Sequence, residues 1–245
     1  MTGICKTMLN VVLPDIGQRR LTFYLAMEEF VAREFEGEAF FVWQSEPTVI
    51  IGRNQIIENE VNMDYCRAYG IDVCRRRSGG GCVYSDKGNI MISYVSRRGD
   101  AAGIFDRYLS ALSACLRSFD LPARKSERND VMVDGRKISG NAFHMLPDRS
   151  IVHGTLLYSV DMEALVEAIR PPVEKLQRHG VESVRQRVMN ISEWIEGKEH
   201  IHDALRSAES LKEHLVNFFC DEAVTLTPEQ IAEVEKLQMA YDDLI

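Results

Sequence analysis

Three arginines followed by three glycines form the stretch with the clearest chemical potential. Residues 75–77 are arginines, residue 78 is a serine and residues 79–81 are glycines. Because glycine has no Cβ, its backbone N–H groups can approach a ligand closely. Backbone amides beside guanidinium groups form a site for an anion such as phosphate or carboxylate. The alternative is a tight loop beside a solvated basic patch, since glycine runs are common in turns.

Two further groups of polar residues lie downstream. Arg128, Asn129 and Asp130 are consecutive, and Lys137 precedes a run of small and polar residues at 139–142. The Asp130 carboxylate has the chemistry to hold Mg²⁺ together with substrate phosphates, although an Asn-Asp pair alone is more typical of a turn. A lysine alone is more typical of an exposed surface charge.

Together these groups supply arginine, lysine, a carboxylate and a glycine loop. Those are the parts needed to hold a nucleoside triphosphate and a carboxylate substrate side by side. The two cations would neutralise the charge that grows as the substrate carboxylate attacks the α-phosphate. Proximity of the two substrates would contribute much of the rate.

Length and composition limit the class of protein. The chain has 245 residues, of which 45% are hydrophobic and 27% are charged, which is ordinary for a globular protein. The net charge of -8 and the pI of about 5.4 argue against a general nucleic-acid partner. A local basic patch in an acidic chain indicates a specific anionic ligand instead.

The cysteines and the apolar runs favour a cytoplasmic enzyme with reduced thiols. The six cysteines include no CxxC pair, so the sequence gives no support for a zinc site, a thioredoxin-like motif or a disulfide framework. No signal-peptide segment and no run of 18 apolar residues occurs, so no membrane partner is expected.

Strands are predicted next to each polar group. Residues 70–74 read as a strand that enters the arginine–glycine stretch, and residues 90–95 read as a strand that follows it. Asp134 and Gly135 predict a tight turn, which makes a hairpin of the strands before and after it. Further strands are predicted at 8–14, 40–43, 48–51 and 150–159, the last of which contains His153.

Helical periodicity completes the predicted fold. Helices are predicted at 21–35, 60–69, 105–119, 161–169 and 199–219, and a further helix begins at Thr227, Pro228 and Gln230. Cys115 is predicted to be a core residue, because it lies beside the apolar face of its helix. We see no linker or repeat, so the sequence predicts one α+β domain with a mixed or antiparallel sheet flanked by helices.

At this point the sequence resembles a known family, the lipoate–protein ligase A family. Residues 75–89, RRRSGGGCVYSDKGN, are similar to that family's signature RRxSGGGxVxxDxGN. Matching segments at 128–130, 135–140, 153–157 and 180–191 follow in the family's order. The resemblance extends from about residue 20 to 195.

The resemblance implies the catalytic-domain fold of the biotin and lipoate–protein ligases over residues 1–245. It also implies a reaction in two steps. Lipoate and ATP first give lipoyl-AMP and pyrophosphate, with Mg²⁺, and the lipoyl group then passes to a lysine of a carrier domain. The implied carriers are the lipoyl domains of 2-oxoacid dehydrogenases or the H protein of glycine cleavage.

The resemblance also implies roles for individual residues. Lys137 would be catalytic, contacting the acyl carbonyl and phosphate oxygens in both steps, and Asp130 would help to place Mg²⁺ with support from Asn129. His153 is a candidate ligand residue, but it could equally be a buried structural residue. The ATP and lipoyl-AMP site would comprise Arg76 at the adenylate phosphate, and Gly79, Gly80, Gly81, Cys82, Val83, Tyr84, Asn129, Lys137 and His153.

Two departures from the family's pattern leave alternatives open. Cys82 stands where many members have a small residue without sulfur, so it is either a reactive thiol or a thiol that fits a small-residue position. The C-terminal accessory domain that many members carry is expected to be absent. Activation would then depend on a separate accessory protein, or the chain would only transfer a preformed acyl adenylate.

Three rival functions remain. A lipoyl or octanoyl transferase of the same fold would use a cysteine nucleophile, but no cysteine lies between residues 116 and 219, which leaves only Cys82. A non-catalytic binding protein would not require Arg76, Lys137 and Asp130 together. Biotin is disfavoured as the substrate, because the glycine stretch lacks the pattern of biotin ligases.

Overall fold

The strands form two sheets in the computed structural model, which describes residues 8–15, 17, 19–97, 99–169 and 187–244. In chain order they are β1 (Met8–Val12), β2 (Glu38–Trp43), β3 (Thr48–Ile51), β4 (Asp72–Arg75), β5 (Val83–Ser85), β6 (Asn89–Arg97), β7 (Arg124–Lys125), β8 (Asp130–Val133), β9 (Arg136–Met145), β10 (Arg149–Leu157) and β11 (Glu222–Thr225). Within the described residues the large sheet has the order β11-β1-β2-β6-β10-β9-β8-β7, and the small sheet has the order β4-β3-β5. Parallel pairs at β1/β2, β1/β11 and β3/β4 stand among antiparallel ones, which confirms the predicted mixed sheet.

Helices cover both faces of the large sheet. In chain order they are α1 (Leu21–Glu34), α2 (Ile57–Glu60), α3 (Met63–Tyr69), α4 (Ala101–Ser118), α5 (Met162–Ala168), α6 (Ile191–Ile195), a 3₁₀ turn (Asp203–Leu205), α7 (Ala208–Phe219) and α8 (Pro228–Asp242). The apolar residues of α4 and α7 pack in one core cluster, and those of α1 and α8 pack in another. The predicted α+β fold with flanking helices is therefore confirmed.

The alternation of β2 shows why two cores form. Phe40 packs in the cluster with α4 and α7, and Phe41 packs in the cluster with α1 and α8. Successive side chains of a strand point to opposite faces of its sheet, and both rings are fully buried. Each such burial contributes about 1.5–3 kcal/mol, so β2 links both layers.

The small sheet carries the arginine–glycine stretch. Val49 and Ile51 of β3 pack with Val61 and Cys66 in a third core cluster. The stretch connects the end of β4 to the start of β5, and both strands pair with β3. The glycine loop is thus held at one end of a buried three-stranded sheet.

Several local predictions are confirmed. Asp134 has φ 48° and Gly135 has φ 78°, the positive values that a tight hairpin turn requires. Thr227 and Gln230 form a capping box at the start of α8, and the Asp161 side chain caps α5. Cys115 is fully buried in the core.

Other boundaries differ from the predictions because of local caps. The predicted helix at 199–219 was wrong at its start, since the Ser207 side chain accepts a hydrogen bond from Ser210 N and α7 begins after it. Asn62 caps α3, so the helix predicted from residue 60 starts at Met63. Gly70, predicted to begin a strand, instead ends α3 in the left-handed conformation with φ 65°.

Two expectations from the sequence can be compared with the described residues only. Most of the family-like segment at 180–191 lies outside the described residues. In the part of the chain that is described, no helix has both the length and the apolar character needed to cross a bilayer.

Candidate active site

A cavity of about 270 Å³ lies where the glycine loop faces strands β6, β9 and β10 of the large sheet. Most of the residues predicted from the sequence line it: Arg76, Gly80, Gly81, Cys82, Val83, Tyr84, Asn129, Lys137 and His153. Gly79 and Asp130 do not line the cavity, but each contacts a residue that does. The structure thus brings together residues that are up to 77 positions apart in sequence, from Arg76 to His153.

Close backbone contacts fix the glycine loop. Arg53 N donates to Ser78 O at 2.9 Å. A Cβ on Gly52 would lie 2.2 Å from the carbonyl oxygen of Gly80, so this approach requires glycine. Gly80 has φ 98°, a conformation that side chains with a Cβ rarely adopt. The loop therefore has one tightly defined path beside the cavity.

Arg76 lies inside this loop and is only 5% exposed. Its guanidinium donates to the carbonyl oxygens of Gly79 at 2.9 Å and Gly81 at 2.7 Å, and to Ile50 O at 3.2 Å. Burial lowers the pKa of Arg76, but a guanidinium stays protonated in proteins. Among the described residues its hydrogen-bond partners are all neutral oxygens, and no carboxylate of that part of the chain is in direct contact with its charge. Such a cation favours an anion in the adjoining cavity.

The two neighbouring arginines face the C-terminal helix instead. Arg77 Nη1 lies 2.6 Å from the Glu29 carboxylate, and its guanidinium lies over the Tyr241 ring at 4.5 Å. Arg75 Nε donates to Leu244 O at 3.0 Å. Of the three consecutive arginines, Arg76 alone lines the cavity, and the other two tie the loop to α1 and α8.

Lys137 lies at the cavity with its Nζ atom 2.8 Å from Asp130 Oδ1. Gly140 permits this position, because a Cβ there would meet Lys137 Nζ at 2.5 Å and Cε at 2.6 Å. The backbone of Lys137 is held as well, since its N–H donates to Arg187 O and its carbonyl accepts from Met189 N. The lysine is therefore placed by both its main chain and its side chain.

Two asparagines support the same side of the cavity. Asn141 Nδ2 donates to Asn129 O at 2.9 Å, and Asn129 Nδ2 donates to Asn141 O. Within the described residues, Asn141 Oδ1 is buried and has no hydrogen-bond partner. A Cβ on Gly154 would lie 1.9 Å from that oxygen, so Gly154 makes room for it. Asn141 was not among the predicted site residues, although its place after Ser139 and Gly140 was the available signal.

The rest of the lining is largely apolar. Leu25, Trp43, Ile50, Met91 and Leu157 contribute to it. Such a surface suits a hydrocarbon chain, whereas the charged groups lie at the glycine loop and at Lys137. The cavity therefore has one apolar part and one cationic part.

The environment of Cys82 is that of a protonated thiol. Burial raises the pKa of Cys82 to about 12, and the thiolate is the nucleophilic form of cysteine. This favours the interpretation of Cys82 as a thiol that fits a small-residue position, and it disfavours the transferase that would use this cysteine.

The residues present offer little to a metal ion by themselves. Among the described residues, no group of three or more His, Cys, Asp or Glu side chains is arranged to hold a metal. Asp130 supplies one carboxylate, and Lys137 already contacts it. This fits Mg²⁺ only in the mode in which substrate phosphates and water supply most of the ligands.

The fold and the cavity agree with one family. The chain belongs to the lipoyl protein ligase A/B catalytic domain family, whose model matches residues 21–218. It is 37% identical over 177 residues to a lipoate–protein ligase of Bacillus subtilis, covering 71% of this chain and 54% of the relative. It is 36% identical over 222 residues to lipoate–protein ligase 1 of Staphylococcus aureus, covering 88% of this chain and 66% of the relative. The chain therefore spans less than two thirds of the length of these relatives.

A solved structure is similar over nearly the whole chain. It comes from an archaeal lipoylation system of Thermoplasma acidophilum, described as a bi-partite lipoate protein ligase and its E2 lipoyl domain. The TM-score is 0.82 at 27% identity, and the match covers 96% of this chain and 92% of that one. This confirms the predicted ligase fold.

Proposed function

We propose that this chain is a lipoate–protein ligase, which activates lipoate with ATP and transfers the lipoyl group to a lysine of a carrier domain. Family membership and the relatives named as lipoate–protein ligases support the reaction class. The observation that carries the proposal is the buried guanidinium of Arg76, which contacts no carboxylate of the described residues and adjoins a cavity that Lys137 also lines.

In the first step, an oxygen of the lipoate carboxylate forms a bond to the α-phosphorus of ATP. The bond between that phosphorus and the bridging oxygen breaks, and pyrophosphate leaves. Arg76 is proposed to meet the phosphate, and Lys137 the acyl carbonyl and phosphate oxygens. Both cations stabilise the negative charge that grows there, while the apolar lining at Trp43 and Met91 receives the acyl chain.

In the second step, the carrier lysine attacks the acyl carbonyl of lipoyl-AMP. An amide bond forms, the bond from the carbonyl carbon to the phosphate oxygen breaks, AMP leaves, and the attacking nitrogen releases one proton to solvent. Lys137 is proposed to hold the carbonyl and phosphate oxygens during this attack, which is the role of a preorganised cation. The remaining predicted ligand residues are proposed to form this site, with Gly80 to Tyr84, Asn129 and His153 at the cavity wall and Gly79 behind it in contact with Arg76.

Mg²⁺ is part of the proposal. Asp130 would hold the ion together with the phosphates, and Asn129 would support it. When bound, Mg²⁺ would neutralise phosphate charge.

The carriers are proposed to be lipoyl domains of 2-oxoacid dehydrogenases or the glycine cleavage H protein. The similar archaeal ligase, described with its E2 lipoyl domain, supports the first kind. That ligase is bi-partite, which supports a separate accessory protein for the activation step here. The cytoplasmic location stays a prediction from the sequence.

Two assays with the purified chain test the proposal. The first measures pyrophosphate release with lipoate, ATP and Mg²⁺, and the second measures transfer from supplied lipoyl-AMP to an apo lipoyl domain. Transfer in the second assay is expected. Release in the first would mean that activation needs no partner, and its absence would mean that activation depends on one.

Arg76→Gln is expected to impair both reactions. Arg67→Gln is the matched control, because Arg67 is an exposed arginine that pairs with Asp64 three positions before it. Failure of the wild-type chain in both assays, or full activity of Arg76→Gln, would overturn the proposal.

A further inference from the structure

A chain of buried hydrogen bonds leads from helix α1 to the cavity. Trp43 Nε1 donates to Ser93 Oγ at 2.9 Å, and Ser93 Oγ donates to Glu28 Oε1 at 2.6 Å. The other oxygen of Glu28, Oε2, lies 2.9 Å from His153 Nδ1. These residues come from α1 and from the neighbouring strands β2, β6 and β10. The series of hydrogen bonds therefore runs across three strands of the large sheet.

The chain continues from His153 to the glycine loop. His153 Nε2 lies 2.6 Å from Ser78 Oγ, and Arg76 Nε donates to that same oxygen at 3.0 Å. Glu28 and Ser78 are each only 2% exposed, and His153 is 9% exposed. We call the set Glu28, Ser93, His153 and Ser78 the relay.

The chemistry of the donors assigns every proton in the relay. The nitrogens Trp43 Nε1 and Arg76 Nε can only donate. Ser93 therefore gives its single proton to Glu28. An ionised carboxylate has no proton to give, so in that form Glu28 Oε2 accepts from His153 Nδ1. This places the proton of a neutral imidazole on Nδ1 and leaves Nε2 as an acceptor. Ser78 then donates to Nε2 and accepts from Arg76.

This arrangement distinguishes the relay from a hydrolytic triad. Ser78, His153 and Glu28 have the order and spacing of a serine nucleophile, its base and the group that orients the base. However, Ser78 does not line the cavity, and its oxygen already accepts from Arg76. The serine is therefore held between two partners and is not presented to a ligand.

The relay also provides a remote counter-charge. Glu28 is a buried carboxylate that is connected to Arg76 through His153 and Ser78. A charge pair separated by two neutral groups stabilises the buried cation without covering it. Among the described residues Arg76 Nη1 has one partner, Ile50 O, so one of its two N–H groups is left for an anion in the adjoining cavity.

We propose that Glu28, His153 and Ser78 are positioning residues that aim the guanidinium of Arg76 at the anionic part of the ligand. This refines the candidate role of His153 from ligand contact to orientation of the loop. The kinetic part of the inference rests on the proposed ligase function, whereas the proton arrangement does not.

The first test is nuclear magnetic resonance of the His153 ring nitrogens in the full chain. The expected spectrum has a bare Nε2, which resonates far downfield of the protonated Nδ1. Glu28→Gln replaces one carboxylate oxygen with an NH₂ donor, so the chemical shifts of the His153 ring nitrogens should change. A proton on Nε2 in the wild-type protein would overturn the relay, whether or not the protein turns over ATP.

The second test compares Ser78→Ala with Ser113→Ala. Ser113 is an equally buried serine in α4 whose hydroxyl has no hydrogen-bond partner within the described residues. Ser78→Ala should lower kcat/KM for ATP by roughly 10- to 100-fold, the range for losing one hydrogen bond to a charged group. The KM for lipoate should change little, the melting temperature should fall because His153 and Arg76 each lose a buried partner, and Ser113→Ala should behave like wild type.

Two results of this test would contradict the inference. Unchanged use of ATP by a folded Ser78→Ala would show that Ser78 does not position Arg76. Hydrolysis of lipoyl-AMP by the wild-type chain that is lost in Ser78→Ala would show a nucleophilic serine instead. A wild-type chain with no activity on ATP or lipoyl-AMP would refute the ligase proposal. The magnetic resonance test does not need activity, so it would still show whether the proton of His153 lies on Nδ1.

Discussion

The Nζ atom of Lys137 lies 2.8 Å from Oδ1 of Asp130, across the hairpin formed by β8 and β9. Both side chains are partly exposed, and such pairs contribute only about 0–1 kcal/mol to stability. The contact therefore matters for position more than for folding. It holds the ammonium group at the edge of the cavity, on the side of Asn129 and Asn141.

Removal of the Asp130 charge should weaken the use of Mg²⁺ and should have little effect on folding. Asp130→Asn is expected to raise the Mg²⁺ concentration for half-maximal adenylation on the order of tenfold, the factor for about 1.4 kcal/mol. The reason is that Asp130 supplies the carboxylate proposed to hold the ion. The measurement is a Mg²⁺ titration of pyrophosphate release, or of ATP binding where a partner is needed for release.

Asp106→Asn is the control for this variant. Asp106 forms the same kind of contact with Lys125 on the surface, and it does not line the cavity. An equal shift in both variants would contradict the assignment of Asp130 to the metal.

A methyl group at position 140 should displace the catalytic lysine. In Gly140→Ala the new Cβ would overlap the end of the Lys137 side chain. Because misplacement of a reacting group by about 1 Å costs on the order of 100-fold in rate, transfer from lipoyl-AMP should fall by about that factor. Gly103→Ala in α4 is the control, since its closest neighbour would be Asp100 Oδ2 at 3.4 Å. Wild-type transfer by Gly140→Ala would show that the position of Lys137 is not critical.

Cys82 should be dispensable for both steps. With its pKa raised to about 12, about one thiol in ten thousand is ionised at pH 8. Cys82→Ala should therefore keep activity close to wild type, and alkylation of Cys82 by iodoacetamide should be much slower than that of glutathione at the same pH. The alkylation rate should rise about tenfold with each pH unit and should not level off at about pH 8.5, where that of an ordinary thiol does. Loss of transfer in Cys82→Ala, with an acyl group trapped on the wild-type thiol, would restore the transferase alternative.

Tyr241 should couple the stability of α8 to pH. Its hydroxyl donates to Glu29 at 3.0 Å, and burial raises the pKa of Tyr241 above its usual value. Because a raised pKa favours the protonated folded state, this contribution is complete below the unfolded pKa of about 10 and is lost as the pH rises above it. Tyr241→Phe should therefore lower the free energy of unfolding by about 1.5–3 kcal/mol at pH 7.

Denaturant titrations of wild type and Tyr241→Phe at several pH values check this prediction. The difference in the free energy of unfolding between the two proteins should narrow above about pH 10, the ordinary pKa of tyrosine. A difference that is constant or widens at high pH would contradict the buried, protonated phenol.

Local signals predicted the parts of the fold that local chemistry determines. The Asp134-Gly135 turn and the capping box of Thr227 depend on a few adjacent residues, and both were confirmed. The predicted start of α7 was wrong because the helical pattern was extended to residues before Ser207. The Ser207 side chain caps the helix, which therefore begins at Ala208. Helix boundaries thus followed caps in preference to the apolar pattern.

The site was predictable only in part. The residue types of the glycine loop and of Lys137 pointed to an anion site. The relay could not be predicted, because Glu28 and His153 are far apart in sequence and come into contact only in the folded structure. One signal was available in α1. Glu28 and Glu29 lie between Met27 and Phe30 in a mostly apolar helix, and charges in such a place need buried partners.

Single-turnover transfer from lipoyl-AMP to an apo lipoyl domain tests the central claim most directly. The claim is that Lys137, in this cavity, acts on the acyl adenylate. Wild type should transfer the lipoyl group without ATP, Lys137→Ala should lose both transfer and adenylate formation, and Lys236→Ala on the surface of α8 should match wild type. Transfer by folded Lys137→Ala at the wild-type rate would contradict the account.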